Sequence, residues 1–428
     1  MSAPGYPARA AAAALVAGVL DAGRMLSDQV ADGSLNGLSG PERARAQSLA
    51  AGVLRHLERI DAVLAPHLRK RPPPAAHNAL RLAVAEMFLD RVPAHAAVDG
   101  AVRLARGHPK AQHLSALVNA VARRVAEAPE AWAAAVDASL PAWLDAPVRA
   151  AWGAETAARI AAAHLVPAPL DLTLRDPRSA QAWAATLGAD VLPTGGLRLA
   201  AAGQVSALPG YAEGAWWVQD AAAALPARLL GDVAGVRILD LCAAPGGKTM
   251  QMAAAGAEVT ALDISGPRLK RLEENLKRTG LKARLVKADA LVWEPAEPYP
   301  AILLDAPCTA SGTIRRHPDL PHLRTGREVK ALLALQAALL ARAWDWLAPG
   351  GRLVFGTCSL LRAEGEGQVA AFRRQRPEAM QAPADAAALG IPDAWVDGEG
   401  ALRIRPDFWP ERGGLDGFFA AQLIKPAT

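Results

Sequence analysis

The sequence predicts an α/β protein: a C-terminal domain on a doubly wound, parallel sheet, preceded by an all-α bundle and a small α+β module. Three observations predict it. From Val236 onward, apolar strand-like runs alternate with helical stretches. Residues 1 to about 140 carry helical periodicity only. Between 141 and 230, prolines and short β-like runs replace that texture. The expected division is therefore 1–140, 141–230 and 231–428.

At 428 residues the chain has material for two or three domains of about 150 residues each. It is 52% apolar, but much of that share is alanine, which reads as helix filler. No uncharged apolar run approaches the roughly 20 residues of a membrane helix; the longest near the start, Ala10 to Leu20, is broken by Asp21. That run follows Arg9 and could be read as a signal peptide. Leu15, Val19, Ala22 and Leu26, however, recur at helical spacing, and no small-x-small cleavage site follows, so an amphipathic first helix is expected. A net charge of +5 permits a nucleic-acid partner without requiring one. Only three cysteines occur, Cys242, Cys308 and Cys358, with no CxxC spacing. So sparse and odd a set argues against a disulfide framework or a zinc site and favours a reducing cytoplasm, with no metal and no membrane.

In the helical region, Val53, Leu57, Ile60 and Leu64 share one face. Asn78 is placed to cap a helix whose Leu80, Val84, Met87 and Phe88 form a core stripe, stopped at Pro93. His95 to Leu104 and Leu114 to Val125 complete the bundle. Arg69, Lys70 and Arg71, with Arg123 and Arg124, form either solvated charges or an RNA-facing patch. In the middle module, Leu170 to Leu174 and Leu197 to Leu199 read as strands, and Trp216-Trp217 as packing residues. In the C-terminal pattern, strands are expected at 237–241, 258–262, 283–286, 301–304 and 352–355, with further strands at 402–404 and 418–424 added at the edge.

The first of these strands runs into Cys242-Ala243-Ala244-Pro245-Gly246-Gly247-Lys248-Thr249. Its glycines let a ligand approach the backbone at a helix N-terminus. A phosphate-binding P-loop requires glycine where Cys242 stands, and the G-x-G-x-x-G dinucleotide pattern is absent. The remaining reading is S-adenosyl-L-methionine. It requires a carboxylate after the second strand for the ribose hydroxyls, supplied by Asp263, and is helped by an acid after the third for the adenine amino group, supplied by Asp289. The fourth strand ends in Asp305-Ala306-Pro307-Cys308 and the fifth in Thr357-Cys358-Ser359. Neighbouring strand ends would bring both thiols into one crevice.

These motifs resemble those of the Sun, or RsmB-type, family of RNA cytosine-5 methyltransferases. The helical segments Asn78-Ala79-Leu80-Arg81-Leu82, Val92-Pro93-Ala94-His95-Ala96-Ala97-Val98 and Leu117-Val118-Asn119-Ala120 are similar to those of NusB-like RNA-binding domains. The resemblance covers nearly the whole chain. It implies a Rossmann-like, class I S-adenosyl-L-methionine methyltransferase domain behind a NusB-like bundle. It also implies a monomer acting on C5 of a cytosine in small-subunit (16S) ribosomal RNA. Another RNA such as transfer RNA, or a non-catalytic assembly role, are the alternatives.

For the cofactor, the residues implied are Cys242, Ala243, Ala244, Pro245, Gly246, Gly247, Lys248, Asp263, Arg268, Asp289 and Asp305. For catalysis they are Cys358, Cys308, Asp305 and Lys248. A thiolate adding to C6 makes C5 nucleophilic, and a second acid–base group helps the C5 proton and the thiol to leave. Chemistry alone does not choose between the thiols; the resemblance nominates Cys358 as nucleophile and leaves Cys308 to assist release. Asp305 is expected to hold the cytosine N3/N4 edge, and Lys248 to hydrogen-bond within the site or steady the loop. Arg315 and Arg316 are expected on RNA phosphates, against the alternative of helix-end salt bridges. The chain departs from the family pattern in three places. Leu361-Arg362-Ala363-Glu364-Gly365-Glu366 stands where a Pro-x-Glu-Asn-like stretch is usual. Phe355-Gly356 replaces Tyr-Ser or Tyr-Ala. Leu172-Thr173-Leu174-Arg175 replaces an Arg-Val-Asn ending, and no site is assigned there.

Overall fold

A computed structural model describes residues 5–136, 139–200 and 203–427. The chain divides into two compact units. One comprises Met1–Ala142, His164–Val166 and Ile314–Thr325; the other comprises Trp143–Ala163, Pro167–Thr313 and Gly326–Thr428. Among the described residues no helix is long and apolar enough to cross a membrane.

The first unit is helical. Its longer helices are Tyr6–Leu20, Gly40–Arg55, Leu57–Leu64, Pro74–Phe88, Ala94–Gly107 and Ser115–Ala126. Local chemistry starts them: Ser39 and Glu42 form a capping box, with the Ser39 N–H donating to Glu42 Oε2 at 2.9 Å. Leu15, Val16, Leu49, Val53, Ile60, Leu64, Leu80, Val84, Val118 and Val121 close into one core. The helix expected to begin at Asn78 begins four residues earlier, at Pro74. Proline fits a helix's first turn because that turn's N–H has no helical partner. Asn78 is instead buried inside the helix, where its Oδ1 accepts from Arg81 Nη1 at 2.9 Å. Arg81 also grips Asp61 with two bonds, Nε to Oδ1 at 2.7 Å and Nη2 to Oδ2 at 2.5 Å. Burial works against the Asp61 carboxylate, yet Arg81 and His77 hold its pKa well below the usual range.

The second unit carries two sheets. The smaller is antiparallel, in the order β2 (Asp190–Val191), β3 (Leu197–Leu199), β1 (Leu170–Leu174), β4 (Trp216–Val218). The segment expected as a separate middle module thus has its own sheet, within the same compact unit as the larger one. A buried pair joins them: Arg198 binds Asp171 through two bonds of 2.7 Å and donates Nη1 to the Arg412 and Gly414 carbonyls. Trp217 on β4 packs against Ala243, Met250 and Leu272, the packing role expected of the tryptophans.

The larger sheet uses β5 (Arg237–Leu241), β6 (Glu258–Asp263), β7 (Arg284–Lys287), β8 (Tyr299–Asp305), β9 (Leu347–Thr357), β10 (Met380–Ala382), β11 (Leu402–Ile404) and β12 (Phe418–Ile424). Its order is β10-β12-β9-β8-β5-β6-β7, with β11 on β12. The five strands β5 to β9 run parallel, as expected. The C-terminal strand β12 does not close the edge. It lies antiparallel between β9 and β10. From β5 the chain proceeds to β6 and β7 on one side and returns to β8 and β9 on the other. That reversal leaves a crevice at the C-terminal strand ends beside β5, where open α/β sheets bind ligands.

Candidate active site

Each strand that borders the crevice ends in a chemically competent residue. After β5 the chain passes Cys242 (φ 59°) into the glycine turn. Gly246 has φ 102°, and a Cβ there would lie 2.0 Å from Leu272 Cδ1, so no other residue fits. The helix Gly247–Ala254 then begins. At the end of β6, Asp263 is almost fully buried. Its Oδ2 accepts the Ala244 N–H at 3.0 Å and its Oδ1 the Ser265 N–H at 2.8 Å. Arg268 donates to the Ala244 carbonyl and lies 3.5 Å from Asp263 Oδ2. After β7, Asp289 Oδ1 accepts the Leu291 N–H at 2.9 Å.

A cavity of about 120 Å³ opens among these groups. Its walls include Cys242, Asp263, Arg268 and Asp289 from the expected cofactor set, joined by Ile264, Pro307, Leu335 and Leu339, which were not singled out from sequence. Lys248 and Asp305, which are not among its lining residues, pair with each other, Nζ to Oδ2 at 2.8 Å. Burial works against the Lys248 ammonium, but the Asp305 carboxylate, with Cys358 and Asp240 nearby, holds its pKa above the ordinary value. The Cys242 thiol is pushed up to about 12 by burial and by the charges of Asp263, Asp305 and Asp240, so it stays protonated. Asp240 on β5 is fully buried. Its Oδ2 accepts Thr249 Oγ1 at 2.5 Å while Oδ1 has no partner, and burial raises its pKa to about 7.

Cys308 and Cys358 follow the adjacent parallel strands β8 and β9, where Asp305 lies opposite Gly356. Their Sγ atoms are 3.4 Å apart. Backbone ties hold the two loops: the Gly312 N–H donates to the Cys358 carbonyl at 3.0 Å, and the Gly417 N–H to the Gly312 carbonyl at 2.7 Å. The Cys308 pKa is raised well above that of a free thiol, first by its hydrogen bond to Cys358, then by burial and the charges of Cys358 and Glu364.

The two departures beside Cys358 have a steric basis. A Cβ on Gly356 would lie 3.2 Å from the Phe418 ring. One on Gly365 would lie 2.5 Å from Arg403 Nη2 and 2.6 Å from Phe419 Cγ, so the usual asparagine has no room. Within the same stretch, Glu364 carries no role on the sequence alone. It is fully buried and accepts hydrogen bonds from both thiol loops. Arg315 requires a correction. Only 1% of it is exposed, and its carbonyl accepts Arg55 Nη2 at 2.9 Å within the helical unit, so its guanidinium does not face solvent phosphate. Arg316 is half-buried.

Residues 227–424 match the family described as 16S rRNA methyltransferase RsmB/F, and residues 6–127 match the NusB family. Ribosomal RNA small subunit methyltransferase B of Xanthomonas campestris pv. campestris is 37% identical over 448 residues, covering 99% of this chain and 98% of that protein. The protein of the same name from Klebsiella pneumoniae (strain 342) is 37% identical over 443 residues, covering 97% and 98%. Among solved structures, PH0851 superposes with a TM-score of 0.76 at 22% identity, covering 99% of this chain and all of that one. A methyltransferase homolog protein from Pyrococcus horikoshii superposes at 0.53 with 28% identity, covering 64% and 92%. The chain belongs to the RsmB/F family of ribosomal RNA methyltransferases, with a NusB-family region preceding its Rossmann-like methyltransferase sheet.

Proposed function

We propose that the protein transfers a methyl group from S-adenosyl-L-methionine to C5 of a cytosine in small-subunit ribosomal RNA, through a transient bond between Cys358 Sγ and cytosine C6. The observation that carries this reading is the pair of sulfurs 3.4 Å apart at the mouths of adjacent strands, beside the Lys248–Asp305 pair. The names of the full-length relatives motivate the RNA.

The donor set suits the cofactor. Asp263 and Asp289 offer carboxylate oxygens after β6 and β7 for ribose hydroxyls and an adenine amino group. Ile264, 66% exposed, supplies an apolar face that a purine would cover. When bound, S-adenosyl-L-methionine supplies an electrophilic methyl group on a sulfonium sulfur.

The chain's own residues do the rest. The Cys358 thiolate, within the field of the Lys248 ammonium, adds to C6 and drives the ring electrons to C5, which becomes the nucleophile for the methyl group. Asp305 holds the N3/N4 edge so that the ring accepts those electrons. Once Cys358 Sγ is bonded to C6, its hydrogen bond to Cys308 and its charge are gone, while burial and the Glu364 charge remain. Cys308 gives its own proton to water and, as the thiolate, takes the C5 proton. The C5–H electron pair restores the C5–C6 double bond, the Sγ–C6 bond breaks, and Cys358 leaves as thiolate. The base must be unpaired or flipped to reach this crevice.

We extend the proposal to a chain that works as a cytoplasmic monomer, with residues 1–140 binding RNA, 141–230 linking and 231–428 catalysing. Arg316, rather than Arg315, is the phosphate contact. Bisulfite sequencing of ribosomal and transfer RNA from a strain lacking the protein tests the substrate. Loss of one protected cytosine in small-subunit ribosomal RNA supports the reading; an unchanged pattern, or a loss confined to transfer RNA, rejects it.

A further inference from the structure

Glu364 ends the short turn Arg362–Glu364 after Cys358 and is fully buried. A carboxylate so placed is tolerated only when donors replace its lost water. Four atoms provide them. From the Cys308 loop, the Thr309 N–H donates to Oε1 at 3.0 Å and Thr309 Oγ1 to Oε2 at 2.6 Å. From the Cys358 loop, Ser359 Oγ donates to Oε2 at 2.5 Å. From the helix Val329–Asp345, Gln336 Nε2 donates to Oε1 at 3.0 Å and also to the Pro307 carbonyl at 2.8 Å. The Glu364 carbonyl itself accepts Thr357 Oγ1 at 3.1 Å. Residues 307 and 309 flank one thiol; residues 357 and 359 flank the other.

We propose that Glu364 is a positioning residue that sets the separation of Cys308 and Cys358, binding both thiol loops to one acceptor. The proposal rests on the two-thiol reading above for its effect on turnover, but not for its effect on geometry. Both Glu364 oxygens accept, so the hydroxyls and amides beside them donate toward one carboxyl and each loop is held from its own side. A glutamine keeps the shape but either sets its N–H groups against the Thr309 N–H or forces the Thr309 and Ser359 hydroxyls that now donate to Oε2 to reverse, so the pattern of ties changes.

The test uses the full-length protein without RNA or cofactor. Diamide oxidises the Cys308–Cys358 pair: each thiol loses a proton and an electron, the sulfurs join, and diamide is reduced to the hydrazine. The rate, followed by peptide mapping, reads how often the sulfurs are in reach. Glu364→Gln is expected to slow this pairing about tenfold. It is also expected to lower kcat about a hundredfold, with the cofactor Kd changed by less than about threefold. Ser359→Ala, which removes one tie and leaves the carboxylate in place, is expected to share the defect. Combined with Glu364→Gln it should add nothing further. If Glu364→Gln does not fold by circular dichroism, Ser359→Ala alone carries the test. Unchanged pairing in a folded variant overturns the proposal, whatever happens to turnover. Slowed pairing with full turnover upholds the positioning role and rejects the two-thiol mechanism instead.

Discussion

Lys248 Nζ lies 2.8 Å from Asp305 Oδ2 and 4.9 Å from the centre of the Phe418 ring, so one ammonium joins the first turn of the helix Gly247–Ala254, the end of β8 and the start of β12. Lys248→Met removes the ammonium and leaves the Asp305 carboxylate without its cation. The expected result is a kcat reduced at least about a hundredfold and a stability loss of about 2 kcal/mol. Single-turnover methylation and urea unfolding measure the two effects. Full activity would show that Lys248 is not used.

Asp263 receives two backbone N–H bonds, from Ala244 and Ser265, at a wall of the cavity. Asp263→Asn puts an amide donor against at least one of those donors. Cofactor Kd should rise about tenfold or more, equivalent to about 1.4 kcal/mol. Isothermal calorimetry with S-adenosyl-L-methionine checks it.

Asp240 titrates at about 7 in the folded protein because burial disfavours its charged form. An unfolded aspartate titrates near 3.9. Between those values the unfolded state releases a proton that the folded state keeps, so this group lowers stability as pH rises through that window. Asp240→Asn removes the effect. Relative to the parent, the variant should gain thermal stability between about pH 4 and pH 7 and hold that gain above it. Parallel melting curves across that range supply the comparison; a difference independent of pH would contradict it.

Arg315 and Arg316 should separate cleanly. Arg315→Ala removes a side chain 1% exposed and is expected to lower the melting temperature. Arg316→Ala is expected to weaken RNA binding and reduce the slope of log affinity against log salt by about 1. Filter binding at several salt concentrations, beside thermal melts, distinguishes a structural arginine from a phosphate contact.

Much of the catalytic half is legible because strand period and strand-end chemistry coincide. Leu262-Asp263, Leu304-Asp305 and Thr357-Cys358 each read as an apolar run stopped by a reactive group, and parallel pairing gathers those ends in space. What failed to show depends on packing between distant segments. Gly356 and Gly365 look like departures until Phe418, Phe419 and Arg403 fill the space where a side chain would go. Glu364 acquires its meaning only when Thr309 and Gln336 arrive from residues 55 and 28 positions away. Arg315 reads as a surface charge because burial of a guanidinium has no local signature. Asn78 reads as a cap because its partner Arg81, which also binds Asp61, is buried on a helix that Pro74 had already begun.

The division of labour between the thiols is tested most directly by incubating Cys308→Ala with ribosomal RNA and S-adenosyl-L-methionine, then resolving the protein on a denaturing gel. A slower-migrating covalent RNA adduct is expected, because Cys358 still attacks C6 but release is impaired; Cys358→Ala should form none. An adduct with Cys358→Ala and none with Cys308→Ala would contradict the assignment and exchange the two roles.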